Sequence, residues 1–442
     1  MESLKKRKLF IYLIVATAFL LVGTFVYALL RDDDPYKYFT GMGDEFDISP
    51  DDKHFLFSYY IDGQEGIYKA NVDGTDVEQL TSSETDRHHA PKYSHDGTKI
   101  IFLSKNPEGI NSLYIANEDG SQQKQLIPTS VHVSEAVFSY TGETIYYIGM
   151  PAEAFKKAEG ETTEGFDLYS VNINGENIKQ LTNENYFDME SLIVSHDGKA
   201  IYYRLFDMNK EKVTMYSLEN KLEKEAAISE ALPNDSYYIQ LSPNEDKLAY
   251  TAIAEESLNS PLYEYELFII DTEERQPKRL TDFNSSVVAP IFFHHQNQIA
   301  FLNYTNWPID PAKNDLFVLD LGTEELQPVH MAVSNQNSSN WLIKGINQLV
   351  NGTTITVIYI IMIGLLITYL HQFHSKRKSY VPAIASLILT IIVFISSVIV
   401  AFNVDPWYGI GLGTFAAVLM GCTLLVFGYA FVLNLVGKSR KE

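Results

Sequence analysis

The chain has one cysteine in 442 residues, Cys422, and it falls in an uncharged stretch near the C-terminus. No disulfide can staple the rest, so any exported part must be held by its apolar core. No Gly-x-Ser-x-Gly run occurs, which removes the strained turn that exposes a hydrolytic serine. Gly437-Lys438-Ser439 resembles the tail of a phosphate-binding loop, but Val432 stands where the first glycine belongs, so it reads as the basic end of a membrane helix. The Asp-Gly pairs at Asp73-Gly74 and Asp119-Gly120 lack the alternating ligands and distant Glu of a calcium loop and read as turns. Basic residues are scarce as well: 34 Lys and Arg against 56 Asp and Glu leave a net charge of −22.

Charge is missing altogether from four stretches, 9–30, 354–370, 381–402 and 408–436. Each is long enough to cross a hydrocarbon core of roughly 30 Å as a helix. Without Asp, Glu, Lys or Arg inside them, a transporter or channel acting alone is not expected. Gly409, Gly411, Gly413 and Gly421 in the last stretch are expected to let helices approach closely. Basic clusters in segments 1–8, 371–380 and 437–442 would hold all three in the cytoplasm, with 403–407 a short outer loop. Both termini are then cytoplasmic and residues 31–353 lie outside, carrying a net charge of about −29. Such a surface disfavours nucleic acid and anionic lipid and favours cations or basic partners. Val26-Tyr27-Ala28 loosely resembles a signal cleavage site, but the preceding apolar run exceeds the usual about 7–15 residues, so an uncleaved anchor is expected.

What the outer segment has in abundance is one phrase: Ser49-Pro-Asp-Asp, Ser94-His-Asp-Gly, Ser139-Tyr-Thr-Gly, Ser195-His-Asp-Gly and Ser242-Pro-Asn-Glu, spaced 45, 45, 56 and 47 residues apart. That period belongs to repeat architectures such as β-propellers. The first three copies lead into aromatic and β-branched strands separated by Asp-Gly or Asn-Gly turns, as in Ile100-Ile101-Phe102-Leu103, Leu113-Tyr114-Ile115 and Asp119-Gly120, and the fourth keeps the strands but loses that turn. A sixth copy survives in register only, Ala289-Pro290-Ile291-Phe292 matching Ala90-Pro91-Lys92-Tyr93, with His294-His295 in the place of the turn. The expected fold is an all-β six-bladed β-propeller ectodomain over 44–330, with one N-terminal and three C-terminal transmembrane helices. Segment 31–43 reads as a linker, 151–165 as a surface insertion, and 331–353 as a linker whose Trp341, Leu342, Ile346 and Leu349 suit a membrane interface.

The Ser phrase, the Leu-Tyr strand, the Asp-Gly turn and the Gln-Leu-Thr ending of Gln79-Leu80-Thr81 and Gln180-Leu181-Thr182 resemble the repeat of TolB-like propellers. The resemblance implies an extracytoplasmic six-bladed propeller engaged in protein or ligand binding. The chain departs from TolB itself in its four spans and in the lack of an α/β domain before the repeats. Related repeats occur in propellers that gate serine peptidases of the prolyl oligopeptidase kind, but the nucleophile elbow those enzymes need is absent.

Five residues before each phrase serine the chain enters the innermost strand, at Asp44, His89, Ser134, Glu190, Tyr237 and, in the sixth copy, Val288. With the neighbouring Glu45, Asp86, His88, His132, Glu135, Asp188 and Asp235, a ring of carboxylates and imidazoles is expected at one mouth. Such a ring suits a cation or a basic peptide. A polar lining for a water-filled channel would read the same way. The leading expectation is a non-enzymatic binding or scaffold module of the bacterial cell envelope that meets a protein, a peptide or a wall-associated ligand and needs no cofactor. One alternative is an accessory or sensor subunit whose last three helices dock a membrane partner. The other is a hydrolase or lyase that uses a divalent metal on Asp44, His89 and Glu190.

Overall fold

The computed structural model describes residues 2–32, 34–158, 160–207, 210–333 and 340–439. It divides into two compact units, Met1–Asp33 with Ser339–Glu442, and Asp34–Ser338.

The second unit is built from short antiparallel strands in consecutive runs of four. The first run is Gly41–Ile48, His54–Ile61, Gln64–Asn71 and Glu78–Gln79, so its opening strand begins at Gly41, three residues ahead of the expected boundary. The described residues make four such four-stranded sheets, then an eight-stranded one in which two further runs meet through one parallel pair, Tyr265 with Ser286. The opening strands, Gly41–Ile48, Arg87–Tyr93, Val131–Phe138, Met189–Val194, Ser236–Leu241 and Ser286–Phe292, neighbour one another in that order, and the last neighbours the first. The runs are therefore arranged about a common axis as a β-propeller.

The recurring phrase is a turn device. Ser94 Oγ donates to Asp96 Oδ1 at 2.7 Å and accepts from the Lys99 amide at 2.9 Å, while Gly97 takes φ 72°. Ser49 with Asp51, Ser195 with Asp197 and Ser242 with Asp246 repeat the bond at 2.7 Å. The serine thereby fixes the hairpin between the first two strands and satisfies an amide that the ladder leaves open. The Gln-Leu-Thr ending, Arg-Leu-Thr at 279–281, works at the other edge, where Thr81, Thr182 and Thr281 hydroxyls accept from the amides of Ile67, Leu168 and Leu267.

Between successive runs lies one apolar cluster, because a four-stranded sheet must cover both faces. Leu56, Ile67 and Leu80 of the first run meet Tyr93, Ile100 and Phe102 of the second, all buried. The seam between the last run and the first is closed in the same way, Val288, Ile291, Phe293 and Leu302 packing on Phe46, Phe55 and Phe57. Among the described residues no strand is exchanged across that seam. Asp52 instead accepts the amides of His294 and His295, each at 2.7 Å, and the Ala332 amide donates to Gly74 O. His294 thus sits half-buried at a turn while His295 is exposed.

Among the described residues the other unit has four helices long and apolar enough to cross a membrane: Leu4–Leu30, Gly352–Phe373, Lys376–Asn403 and Pro406–Val436. Hydroxyls tie the last three together: Tyr359 donates to Ser386 at 2.7 Å, Ser386 meets Thr423 at 2.6 Å and Thr368 meets Tyr429 at 2.8 Å. The close approach expected of four glycines is realised at one. A Cβ on Gly409 would stand 2.3 Å from that of Ala401, whereas Gly411 and Gly421 face open space and Gly413 has 3.7 Å to Ser397 Oγ. A shorter helix, Trp341–Leu349, exposes Trp341, Leu342, Ile346 and Leu349, and its Asn347 accepts from Tyr27 Oη at 2.7 Å.

Candidate binding site at the axial mouth

Each opening strand carries a β-bulge midway. The pairing register slips between His89 and Lys92, Glu190 and Ile193, Tyr237 and Gln240, and Val288 and Ile291. The residue inside the slip is left-handed, with Ala90, Ser191, Tyr238 and Ala289 at φ 50–58°. A bulge turns a strand and re-aims the side chains around it, which is how polar residues at the fifth and fourth positions before the turn reach the axis.

Carboxylates at the fourth position bind the bulge of the next run. Glu135 accepts the Ser191 and Leu192 amides, each at 2.8 Å. Glu45 lies 3.2 Å from His89 Nδ1, and the Nε2 of that ring is 3.2 Å from Asn111 Oδ1. Glu190 pairs with Arg204, whose Nε is 2.8 Å away. Asp44 accepts from Asn314 Nδ2 at 2.7 Å. The Glu45 side chain stays 41 % exposed although protein surrounds it, as expected of a group lining an axial opening.

These groups feel one another. Burial, against the pull of the two amides and with the charges of Glu190 and Glu45 adding to it, pushes the Glu135 carboxyl up to about 7. Burial also raises Asp44 and Glu190, the latter against the opposing Arg204 charge. Glu45 goes the other way: burial opposes its charge, but the hydrogen bond and charge of His89 outweigh it and hold the carboxyl low. His89 is correspondingly raised, burial being overcome by Glu45 and Glu65. The result is a His89–Glu45 pair in which each partner favours the charged form of the other, beside carboxyls that burial biases toward the neutral form.

Of the expected ring, Asp44, Glu45, His89, Glu135 and Glu190 come together. Asp188 stands 3.8 Å from Arg204, at the edge of the Glu190 and Glu211 pairs, and Asp235 is exposed. Three residues go elsewhere. His88, adjacent to His89 on a strand, points to the opposite face, where its Nδ1 lies 2.8 Å from Thr81 Oγ and its ring packs on Phe102. Burial pushes it down to about 4, so it is a neutral core histidine. His132 is buried, its ring stacked 3.5 Å from that of Phe155, which ends the short helix Ala152–Phe155 and covers it. Asp86 accepts from Ser104 Oγ at 3.1 Å. Among the described residues no three His, Cys, Asp or Glu side chains are placed to share a metal ion.

Sequence reasoning missed several members. Glu65, buried beside Asp44 and His89, is raised by burial, and nothing in the repeat marks its position. Tyr238 occupies the register of Glu135 and was findable from it. Arg204, 4 % exposed, breaks the apolar run Ile201-Tyr202-Tyr203 and lies 4.6 Å over the Tyr237 ring.

A family profile described as the dipeptidyl peptidase IV N-terminal region matches residues 85–206, less than half of the chain. Solved structures similar to it include TolB from Acinetobacter baumannii, at 15% identity and TM-score 0.46 over 69% of this chain and 66% of that one. A putative TolB from Agrobacterium tumefaciens matches at 17% identity and TM-score 0.42, over 54% and 80%. An oligogalacturonate lyase in complex with manganese matches at 13% identity and TM-score 0.46, over 71% and 83%. Comparison with curated protein sequences gives no match.

Proposed function

We propose that this chain is a six-bladed, TolB-like propeller anchored in the bacterial cytoplasmic membrane, with the propeller outside, that captures a basic segment of a protein or peptide at its axial mouth. The observation that carries the reading is the convergence of Asp44, Glu45, Glu135 and Glu190, three of which burial holds above the ordinary carboxyl range. A cation arriving at the mouth favours the ionised form of these carboxyls, so capture of a positively charged ligand is coupled to release of protons. Positive ligands are also steered by the acidic surface.

The test is binding of a Lys- and Arg-rich peptide to the full chain in lipid nanodiscs. The paired change Glu45→Gln with Glu135→Gln is expected to weaken it by about tenfold or more. Equal affinity for an acidic peptide of the same length would refute the reading. Photocrosslinking in intact cells from position 238 then identifies the partner.

A further inference from the structure

Beside the axial opening a cleft of 330 Å³ is lined by Tyr237, Tyr265, Tyr304 and Trp307 together with Asp44 and Asp310. The size is that of a small-molecule site. Its aromatic rings form a chain of edge-to-face contacts, Tyr237 to Tyr265 at 5.6 Å, Tyr265 to Trp307 at 6.0 Å and Trp307 to Tyr304 at 5.3 Å. Trp307 is locked by donating Nε1–H to Tyr263 O at 2.9 Å. Tyr36 closes the wall, its hydroxyl accepting the Ala312 amide at 3.1 Å.

Two features give the cleft a sign. None of its lining residues is Lys, Arg or His, so its two carboxylates have no cationic partner within it. Asp310 is held only by long bonds from the Tyr36 and Tyr304 hydroxyls, 3.4 and 3.5 Å, and Asp44 by the neutral Asn314 amide. The fold already places cations on these aromatics: Arg204 lies over Tyr237, and Arg87 lies 5.9 Å from the Tyr36 ring centre. Both guanidinium groups are spoken for by carboxylates, Glu190, Glu211 and Asp188 for Arg204 and Asp34 for Arg87. Aromatic rings, carboxylates without a cationic partner among the cleft's lining residues and a concave shape together make a receptor for an organic cation.

We infer that this cleft binds an alkylammonium head group, between the faces of the Tyr265, Trp307 and Tyr304 rings and the carboxylates of Asp44 and Asp310. The inference deepens the proposed capture of basic ligands by giving one cationic group a seat of its own, and it stands or falls separately. The head group comes either from a free quaternary ammonium compound or from a lysine side chain, and both offer the same charge on an aliphatic stem.

The experiment is calorimetric titration of the full chain in nanodiscs with choline, its neutral isostere 3,3-dimethylbutan-1-ol, and the tripeptide Gly-Lys-Gly, at fixed ionic strength. Choline or the tripeptide is expected to bind, the tighter of the two naming the source, and the neutral isostere to bind about tenfold more weakly or not at all. Trp307→Ala and, as a change that keeps the hydroxyl acceptor, Asp310→Asn are each expected to lower affinity by about tenfold. Glu118→Gln, in an exposed turn outside the cleft, is expected to leave choline affinity unchanged. Equal binding of the isostere, unchanged affinity in Asp310→Asn, or binding of a neutral oligosaccharide in preference to both cations overturns the inference. Choline binding without capture of the basic peptide refutes the proposed function and leaves the cleft standing.

Discussion

Glu135 offers the sharpest check on the electrostatics of the mouth. Its carboxyl titrates near 7 in the folded chain against 4.5 as the reference. The folded state therefore holds a proton that the unfolded state has released, so between pH 4.5 and 7 stability falls as pH rises. The full shift corresponds to about 3.4 kcal/mol. Glu135 is partly exposed and water in the opening screens it, so about 1–2 kcal/mol is expected to be expressed. Glu135→Gln removes this dependence. Whatever the variant loses by weakening the bonds to the Ser191 and Leu192 amides is the same at every pH. The prediction thus lies in the slope: wild type minus variant should become less favourable by about 1–2 kcal/mol from pH 4.5 to 8, or about 2–6 °C in melting temperature. Thermal melts of both full-length proteins across that range measure it. Parallel curves would show that Glu135 ionises normally and that the mouth carries no strained carboxyl.

Four further outcomes follow from the packing. Ser94→Ala leaves the Lys99 amide without its side-chain acceptor and should cost about 1–3 kcal/mol, read by chemical denaturation. Asp52→Ala strips the His294 and His295 amides of their acceptor across the seam, with a loss of about 1–3 kcal/mol in the same assay. Phe102→Ala, at a fully buried site between the first two runs, should cost about 3–5 kcal/mol. In a Cys422→Ser background, Glu118→Cys should react with an impermeant maleimide on intact cells and Lys378→Cys should not; the reverse would overturn the proposed topology.

The architecture was legible because its markers do their work locally. Ser94, Asp96 and Gly97 bond to their own hairpin, so the phrase survives wherever the turn survives. The axial residues were legible by counting back from it, which reached Asp44, His89 and Glu190 and, one step on, Glu45 and Glu135. Counting could not tell His88 from His89, because the bulge decides which of two adjacent side chains faces the axis. The cleft was invisible for a different reason. Tyr36, Trp307 and Asp310 lie in segments that no other run repeats, and only the ring of runs brings residues 36 and 307 to one wall.

The seam without an exchanged strand has a mechanical consequence. Both ends of the propeller unit leave from it, the first strand starting at Gly41 and the last ending at Val329 with Ala332 held by Gly74. Tension between those ends would load side-chain packing and the Asp52 bonds rather than a ladder pulled in shear. Single-molecule pulling from residues 34 and 333 should therefore peel the wheel open at one boundary, at lower force than an attachment spanning the interior of a single sheet.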